Sequence, residues 1–366
     1  MRKYINCTLG VLISLMFFSC APKSMYEQQV RQLAEEAGIP LIQVAYAEGR
    51  KTLVFEASAN PEIQAREDAG TVFQAASLSK PVFAYMVLKM AHEGMIDLDT
   101  PLVTYTDIDR FEDKEAAGLL TARMILHHVT GLPNWAAGPG SEAWPRSVIS
   151  FTMQPGSAFS YSGEGFSFLQ RAVEAVCGAD LEQIAREQVF DPLGMDRTSY
   201  VWLPAFDSLA VDGFNREGES TGKGNFPRAN AAYTLRTTAA DYMKFLKHIS
   251  RGPLAEQEWL RSLFGPQVQA VRYAHKPREC DKTVFWGLGV GIEKHPELGQ
   301  VAFHWGDNGN FKALFLMVPE GATRSERILV YLTNSRAGHD IVENISSLFL
   351  GNTIPVTIHD WINYGN

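Results

Sequence analysis

The sequence predicts an α+β fold: one antiparallel sheet built from both chain ends, flanked by helices, with a helical insertion between its two parts. Three observations predict it. Strand-like segments occur near residues 41–57 and again between 284 and 333. Helical patterning, punctuated by Pro and Gly, fills the stretch from about 90 to 235. The 366 residues are enough to bury one large core or two joined ones. Strands at both ends and helices between them pack most simply as a single sheet with helices on its faces. The sheet parts are expected at about 27–75 and 237–350, in a domain covering 21–366.

The elements follow in order. Segments 41–47 and 51–57 are β-rich and flank the turn Glu48-Gly49-Arg50, so they read as a hairpin. Residues 78–93 read as a long apolar helix, with Phe83, Met86, Val87 and Met90 at helical spacing. Further helices are expected at 119–128, 164–176 and 180–189. A helix at 238–250 starts from Thr237-Thr238, which can cap it. Segments 284–293, 301–305, 312–318 and 328–333 are apolar or alternating and read as strands. A last helix is expected at about 339–350. The Gly-rich, polar stretch 217–225 reads as a loop.

Composition excludes some functions. A net charge of −8 offers nothing to nucleic acid. Neither Cys-x-x-Cys nor His-Glu-x-x-His occurs, so the sequence calls for no metal or other cofactor. His127 and His128 are adjacent and do not face one ligand, and His128 is read as a structural hydrogen-bonding residue. Cys177 and Cys280 can pair in an oxidising compartment. Cys177 follows an apolar helical stretch, however, which favours a buried, unpaired thiol. Arg228 and Arg236 read as surface or ion-paired residues.

Three motifs carry chemistry. In Ser77-Leu78-Ser79-Lys80 the serine and lysine share a helix face. A hydroxyl needs a neighbouring base to become a nucleophile, and a buried lysine has a lowered pKa and can serve. The helix N-terminus adds backbone N–H groups. A second copy, Ser220-Thr221-Gly222-Lys223, lies in the polar loop with no helix behind it. Tyr161 sits in a loop just before a helix, where a tyrosine can move protons. His304-Trp305-Gly306-Asp307 ends a predicted strand. Its glycine allows close approach of a substrate backbone, and the Asp307 N–H is a candidate oxyanion donor. Trp305 is either a substrate wall or a packed aromatic.

The order Ser-x-x-Lys, Tyr-Ser-x, His-x-Gly resembles the serine β-lactamase-like and penicillin-binding protein family, of the class C β-lactamase and D-alanyl-D-alanine carboxypeptidase type. Flanking segments are similar too: Phe73 to Lys80, Ile125 to Pro133, Asp191-Pro192-Leu193-Gly194-Met195 and Thr237 to Asp241. The resemblance covers roughly residues 27–350 and implies the β-lactamase/transpeptidase-like fold. It implies Ser77 as the acylated nucleophile and Lys80 with Tyr161 as the proton-transfer pair. The Ser77 and Asp307 N–H groups form the oxyanion hole, and His304, Trp305 and Gly306 contact substrate. The implied substrate is a small molecule or peptide carrying an amide, ester or lactam. Two positions depart from the pattern. Gly163 stands where the second motif usually ends in Asn, and His304 stands where many β-lactamases have Lys. Asn308, Asn310 and Glu164 are candidates to replace the missing Asn. The alternatives to a general serine hydrolase are a strict β-lactamase or carboxypeptidase, and a non-catalytic penicillin-binding sensor.

The first twenty residues read as a signal peptide. Arg2 and Lys3 precede an apolar run, 9–18, that is too short to span a bilayer comfortably. The run ends in Ser19-Cys20 and resembles a bacterial lipoprotein signal, which implies lipidation of Cys20 and a cell-envelope location. Plain secretion with cleavage near Ala21 is the alternative.

Overall fold

The computed structural model describes residues 23–363 apart from Pro227, Ala322 and Arg324. Cys20 and the signal segment lie outside the described residues. The chain opens with helix α1 (Lys23–Ala37), then the hairpin β1 (Leu41–Glu48) and β2 (Lys51–Ser58). A short strand β3 (Phe73–Ala76) leads into helix α2 (Ser79–His92). In the insertion, helix α3 (Gly163–Cys177) is the one long described helix. The chain returns through β4 (Leu235–Thr237) and helix α4 (Ala239–Arg251). Strands β5 (Val268–Gln269), β6 (Val284–Trp286), β7 (Gly291–His295), β8 (Gly299–Asp307), β9 (Lys312–Val318) and β10 (Arg327–Thr333) follow. Helices α5 (Val342–Leu350) and α6 (Ile358–Ile362) close the described chain.

The main sheet has the order β2-β1-β10-β9-β8-β7-β6-β5. Its neighbours are all antiparallel. The sheet is thus closed by pairing β1 of the first part with β10 of the second, as the sequence predicts. Apolar layers cover both faces. Phe83 and Met86 of α2, Phe166 of α3 and Tyr242 and Phe245 of α4 pack on one. Val30 of α1, Ile345 of α5 and Trp361 of α6 pack on the other. That two-sided cover explains why all seven residues of β9 are buried and why its sequence runs apolar without alternation.

Local chemistry sets the boundaries. Thr238 caps α4 by accepting from Asp241 N at 3.1 Å, and Ser162 caps α3 by accepting from Gly165 N at 3.0 Å. Helix α2 is buried on nearly every side, so it runs through the middle of the molecule.

Several expected elements differ. The predicted strand 284–293 is the β6–β7 hairpin, because Gly289 turns the chain at φ +111°. A Cβ at Gly287 would also meet Leu263 O at 2.2 Å. The helix expected at 119–128 shortens to Ala122–Leu126 and is followed by His128 at φ +55°. The helix expected at 180–189 is Leu181–Ala185 followed by a wider π turn. The last helix begins at Val342. Strands β3 and β4 form a separate two-stranded sheet, and α1 is a helix that the sequence reading did not predict.

The small sheet carries Ser77, so its anchoring matters. Gln43 of β1 is fully buried and donates to Glu56 Oε1 (2.8 Å), Ala69 O (2.8 Å) and Thr71 O (3.0 Å). Glu56 in turn accepts from Thr71 N at 2.8 Å. This buried network fixes the approach to β3 against the main sheet, with every partner satisfied as burial demands.

Candidate active site

Ser77 stands between the end of β3 and the start of α2. Ala76 before it holds a left-handed φ of +49°, strained for a residue with a Cβ. The turn is pinned: Ser79 Oγ donates to Ala76 O at 2.6 Å and accepts from Leu235 N at 3.0 Å. Tyr242 Oη donates to Leu78 O and Tyr200 Oη to Ser79 O. The result is a half-buried serine on a rigid turn.

Lys80 lies one helical turn on, with Nζ 3.0 Å from Ser77 Oγ and 2.8 Å from the Ala232 carbonyl, to which it donates. The side chain is 1% exposed. Burial holds its pKa well below the usual 10.5, and the nearby Arg272 guanidinium pushes the same way. A neutral amine with one N–H held by Ala232 O can offer its lone pair to Ser77.

Tyr161 completes the group. Lys80 Nζ sits 4.8 Å from the centroid of its ring. Its hydroxyl is enclosed and reaches toward Ser77 without a hydrogen bond of regular geometry. Burial raises its pKa above 10, partly countered by Ser77 and Arg272. The phenol therefore holds its proton at neutral pH. His128 packs 4.4 Å from the Tyr161 ring and accepts from Ser162 N at 3.0 Å, the structural role expected of it. His127 instead contacts Gly287 O, so the two histidines share no ligand position.

Unspent hydrogen-bonding capacity concentrates here. His128 Nε2, Tyr161 Oη, Arg272 Nε, Trp286 Nε1 and His304 Nε2 are buried without a protein partner. Folded proteins seldom leave such atoms orphaned, and a cluster of them marks a place arranged for something other than stability.

The end of β8 faces Ser77. A Cβ at Gly306 would lie 2.2 Å from Ala75 O, so only glycine lets β8 approach β3 this closely. Asn308 Nδ2 donates to Gln74 Oε1 at 2.8 Å and locks the two together. Strand β7 pairs with β8 only as far as Phe303, which leaves one flank of 304–307 without a strand partner. The Asp307 carboxylate is held by Lys312 Nζ at 2.5 Å and Gly309 N at 2.8 Å. Burial alone would raise its pKa, yet Lys312 keeps it below the usual value.

Three expectations for β8 need correction. His304 is enclosed and does not present its ring to a substrate. It lies on an interior strand, is fully buried, and its Nδ1 is 2.8 Å from Trp305 O. Burial, reinforced by Lys80, holds its pKa well below 6.5, so it is neutral and does not replace a lysine ammonium. Trp305 is a packed aromatic, 4% exposed and 4.6 Å from the Tyr161 ring. Gly306 is buried, and its visible task is the contact with β3.

The missing Asn at 163 has a steric cause. A Cβ on Gly163 would lie 2.4 Å from Cζ2 of Trp135, so the indole occupies the space a side chain would need. None of the three suggested substitutes contacts Lys80. Asn308 bonds Gln74 and Tyr233 O, and Asn310 bonds Thr221. Glu164 accepts from Trp144 Nε1 (2.6 Å), Ala136 N (3.0 Å) and Arg110. The Ala232 carbonyl orients Lys80 instead. Gly163→Asn is expected to destabilise the protein by about 2 kcal/mol through overpacking. In a thermal-unfolding double-mutant cycle with Trp135→Ala, the two changes should cost less together than the sum of each alone.

The remaining sites settle plainly. Ser220 bonds Asp212 and Lys223 bonds Asp207 O, so the second Ser-x-x-Lys is not a catalytic pair. Arg236 is neither exposed nor ion-paired among the described residues; it is buried and donates to Lys223 O and Gly224 O. Cys177 and Cys280 are both free, Cys177 half-buried and Cys280 buried. A cleft of about 330 Å³ beside β8 is lined by Gln74, Tyr233, Asn308 and Phe311. It runs into a larger one of about 890 Å³ that shares Tyr233 and Phe226 and reaches Trp144 and Glu164.

Comparison with known proteins places this arrangement. The β-lactamase family profile matches residues 26–348. The chain belongs to the β-lactamase family. The members of that family are serine hydrolases, and the sheet-and-helix architecture described above is the β-lactamase/transpeptidase-like fold. Penicillin-binding protein 4 of Amycolatopsis lactamdurans is 26% identical over 35% of this chain and 36% of its own length. A lovastatin esterase of Penicillium rubens is 24% identical over 62% of this chain and 67% of its own. The chain thus matches little more than a third of the first and two thirds of the second. The octameric penicillin-binding protein homologue of Pyrococcus abyssi has the same fold, with a TM-score of 0.72 at 19% identity over 90% of this chain and 77% of that one.

Two residues that act on Lys80 in this β-lactamase family site escaped sequence reading. Ala232 acts through its carbonyl, which any residue possesses, so no sequence signal marks it. Arg272 lies in a loop without periodicity.

Proposed function

We propose that this protein is an exported serine hydrolase that cleaves small ester or amide substrates through an acyl-enzyme. The observation that carries the reading is Ser77 Oγ 3.0 Å from a buried lysine amine whose pKa burial lowers well below its usual value. Ser77 Oγ attacks the substrate carbonyl and its proton passes to Lys80 Nζ. The Ser77 and Asp307 N–H groups steady the oxyanion. Tyr161, which holds its proton, gives it to the leaving group as the bond between that group and the acyl carbon breaks. Lys80 then returns a proton to Tyr161. Water repeats the sequence on the acyl carbon and releases the acid with Ser77 restored.

Esters fit better than lactams. Trp135 fills the place of the asparagine that would bind a substrate amide, and His304 supplies no cation for a lactam carboxylate. The lovastatin esterase relative points the same way. Export and a lipid anchor at Cys20 are supported by the basic, apolar and Ser19-Cys20 sequence of the first twenty residues.

A substrate panel tests the proposal. p-Nitrophenyl esters are expected to be turned over at least tenfold faster, by kcat/KM, than nitrocefin or D-Ala-D-Ala peptides, with every activity lost in Ser77→Ala. Preferential turnover of nitrocefin or the peptides would replace this reading by the strict β-lactamase or carboxypeptidase one. Stable penicillin labelling without turnover of any substrate would favour a sensor.

A further inference from the structure

Arg272 enters the site from the loop between β5 and the turn Glu279–Lys282. Its guanidinium carbon stands 4.6 Å from the Trp305 ring centroid, 4.9 Å from Trp361, 5.4 Å from Tyr161 and 5.8 Å from Tyr273. Its Nε is buried without an acceptor. Among the described residues no carboxylate ion-pairs with it. The two carboxylates that act on it through space are engaged elsewhere: Asp307 pairs with Lys312 (2.5 Å), and Asp281 accepts from the backbone N–H groups of Arg272 (3.0 Å) and Arg278 (2.7 Å). A guanidinium stays charged at any working pH, so a fixed cation lies within an aromatic cage with no counter-ion of its own.

The same Tyr161 ring touches Lys80 Nζ on its other contact. We propose that Arg272 is the fixed positive charge of this site, taking the electrostatic part that neutral His304 does not fill, and that its field keeps Lys80 unprotonated, with its lone pair free to accept the Ser77 proton. The inference rests on the Ser77–Lys80 reading above and deepens it. The titratable and charged groups that face the pair come from every side. Lys80 meets Ser77, Tyr161 and, through space, Arg272, His128 and His304. Tyr161 meets Ser77, Arg272 and Asp307. His128 and His304 are neutral, both held down by burial first. Asp307 is neutralised in part by Lys312. Arg272 is therefore the one charge in the group that opposes protonation of Lys80 and also favours a phenolate at Tyr161. Arg272 is a positioning residue in the electrostatic sense: it acts through Lys80 and Tyr161.

The test is the pH profile of kcat/KM on an uncharged ester, p-nitrophenyl butyrate, for the wild type, Arg272→Lys, Arg272→Gln and Arg272→Met. Removing a positive charge makes Lys80 easier to protonate, so the acidic limb moves to higher pH. Lys80 Nζ and the Arg272 guanidinium carbon stand 4.8 and 5.4 Å from the same Tyr161 ring centroid, so they are at most about 10 Å apart, and a unit charge at that range with an effective dielectric of about 20 predicts a displacement of about one pH unit or more. Arg272→Gln and Arg272→Met should show that displacement and lose about tenfold at a pH on the limb, with KM little changed. Arg272→Lys, which keeps the charge, should keep the wild-type limb. A limb that stays in place in both neutral variants, with the rate lowered equally at every pH, would overturn the inference and leave Arg272 as packing. If either neutral variant fails to fold, the other decides. Turnover surviving Ser77→Ala would instead defeat the underlying reading, so the two failures are distinguishable.

Discussion

Lys80→Met should lower kcat/KM on the order of 10³-fold, the scale of losing a well-placed general base, while the protein stays folded. Methionine matches the length of the lysine stem and fits the apolar walls of Tyr161 and Phe166 against which Lys80 packs. What it removes is the lone pair beside Ser77. In the wild type, activity should fall as pH drops through the lowered pKa of Lys80, because protonation takes that lone pair away. The residual activity of Lys80→Met should lack this limb.

The same substitution has a stability signature of known sign. Between the lowered Lys80 value and the usual 10.5, the unfolded chain binds a proton that the folded chain does not. Stability of the wild type therefore rises with pH through that window. Lys80→Met should lose that contribution and show a flatter rise of Tm with pH across it. Parallel slopes in the two proteins would mean that Lys80 is charged in the folded state and cannot be the base.

Ser77→Ala carries the largest expected effect, a loss on the order of 10⁴-fold or more in kcat/KM. The residue is half-buried on a pinned turn and its hydroxyl meets only the Lys80 amine and the Tyr161 hydroxyl. Circular dichroism and Tm should thus stay close to wild type. Removing the hydroxyl leaves the oxyanion donors and the cleft intact, so KM should change far less than kcat. Equal loss of binding and turnover would point to a damaged cleft rather than a missing nucleophile.

The sequence announces some of this site and hides the rest for physical reasons. Ser77 and Lys80 are legible because helix geometry makes residues three apart into neighbours, and because the apolar run after them predicts burial of the amine. The sheet's closure through β1 and β10 is legible in the hairpin near the start and the apolar strands near the end. Trp135 is not legible. Its pressure on Gly163 arises where two loops 28 residues apart meet, and nothing local records it. The same holds for the cation. Sequence motif order directs attention to His304, yet the rings of Tyr161, Trp286 and Trp305 enclose it and burial keeps it neutral. The charge arrives from Arg272, in a loop whose sequence has no period to read. The hairpin at Gly287 and Gly289 was hidden by its apolar flanks, which read as one continuous strand.

The central claim is that Ser77 becomes acylated. It is tested most directly by mixing the protein with a slowly deacylating ester, quenching in acid within the first turnover, and measuring the intact mass. The account predicts a mass increase equal to one acyl group, located by peptide mapping to the peptide carrying Ser77 and absent from Ser77→Ala. Steady turnover with no mass increase at any quench time, or a label on another residue, would contradict it.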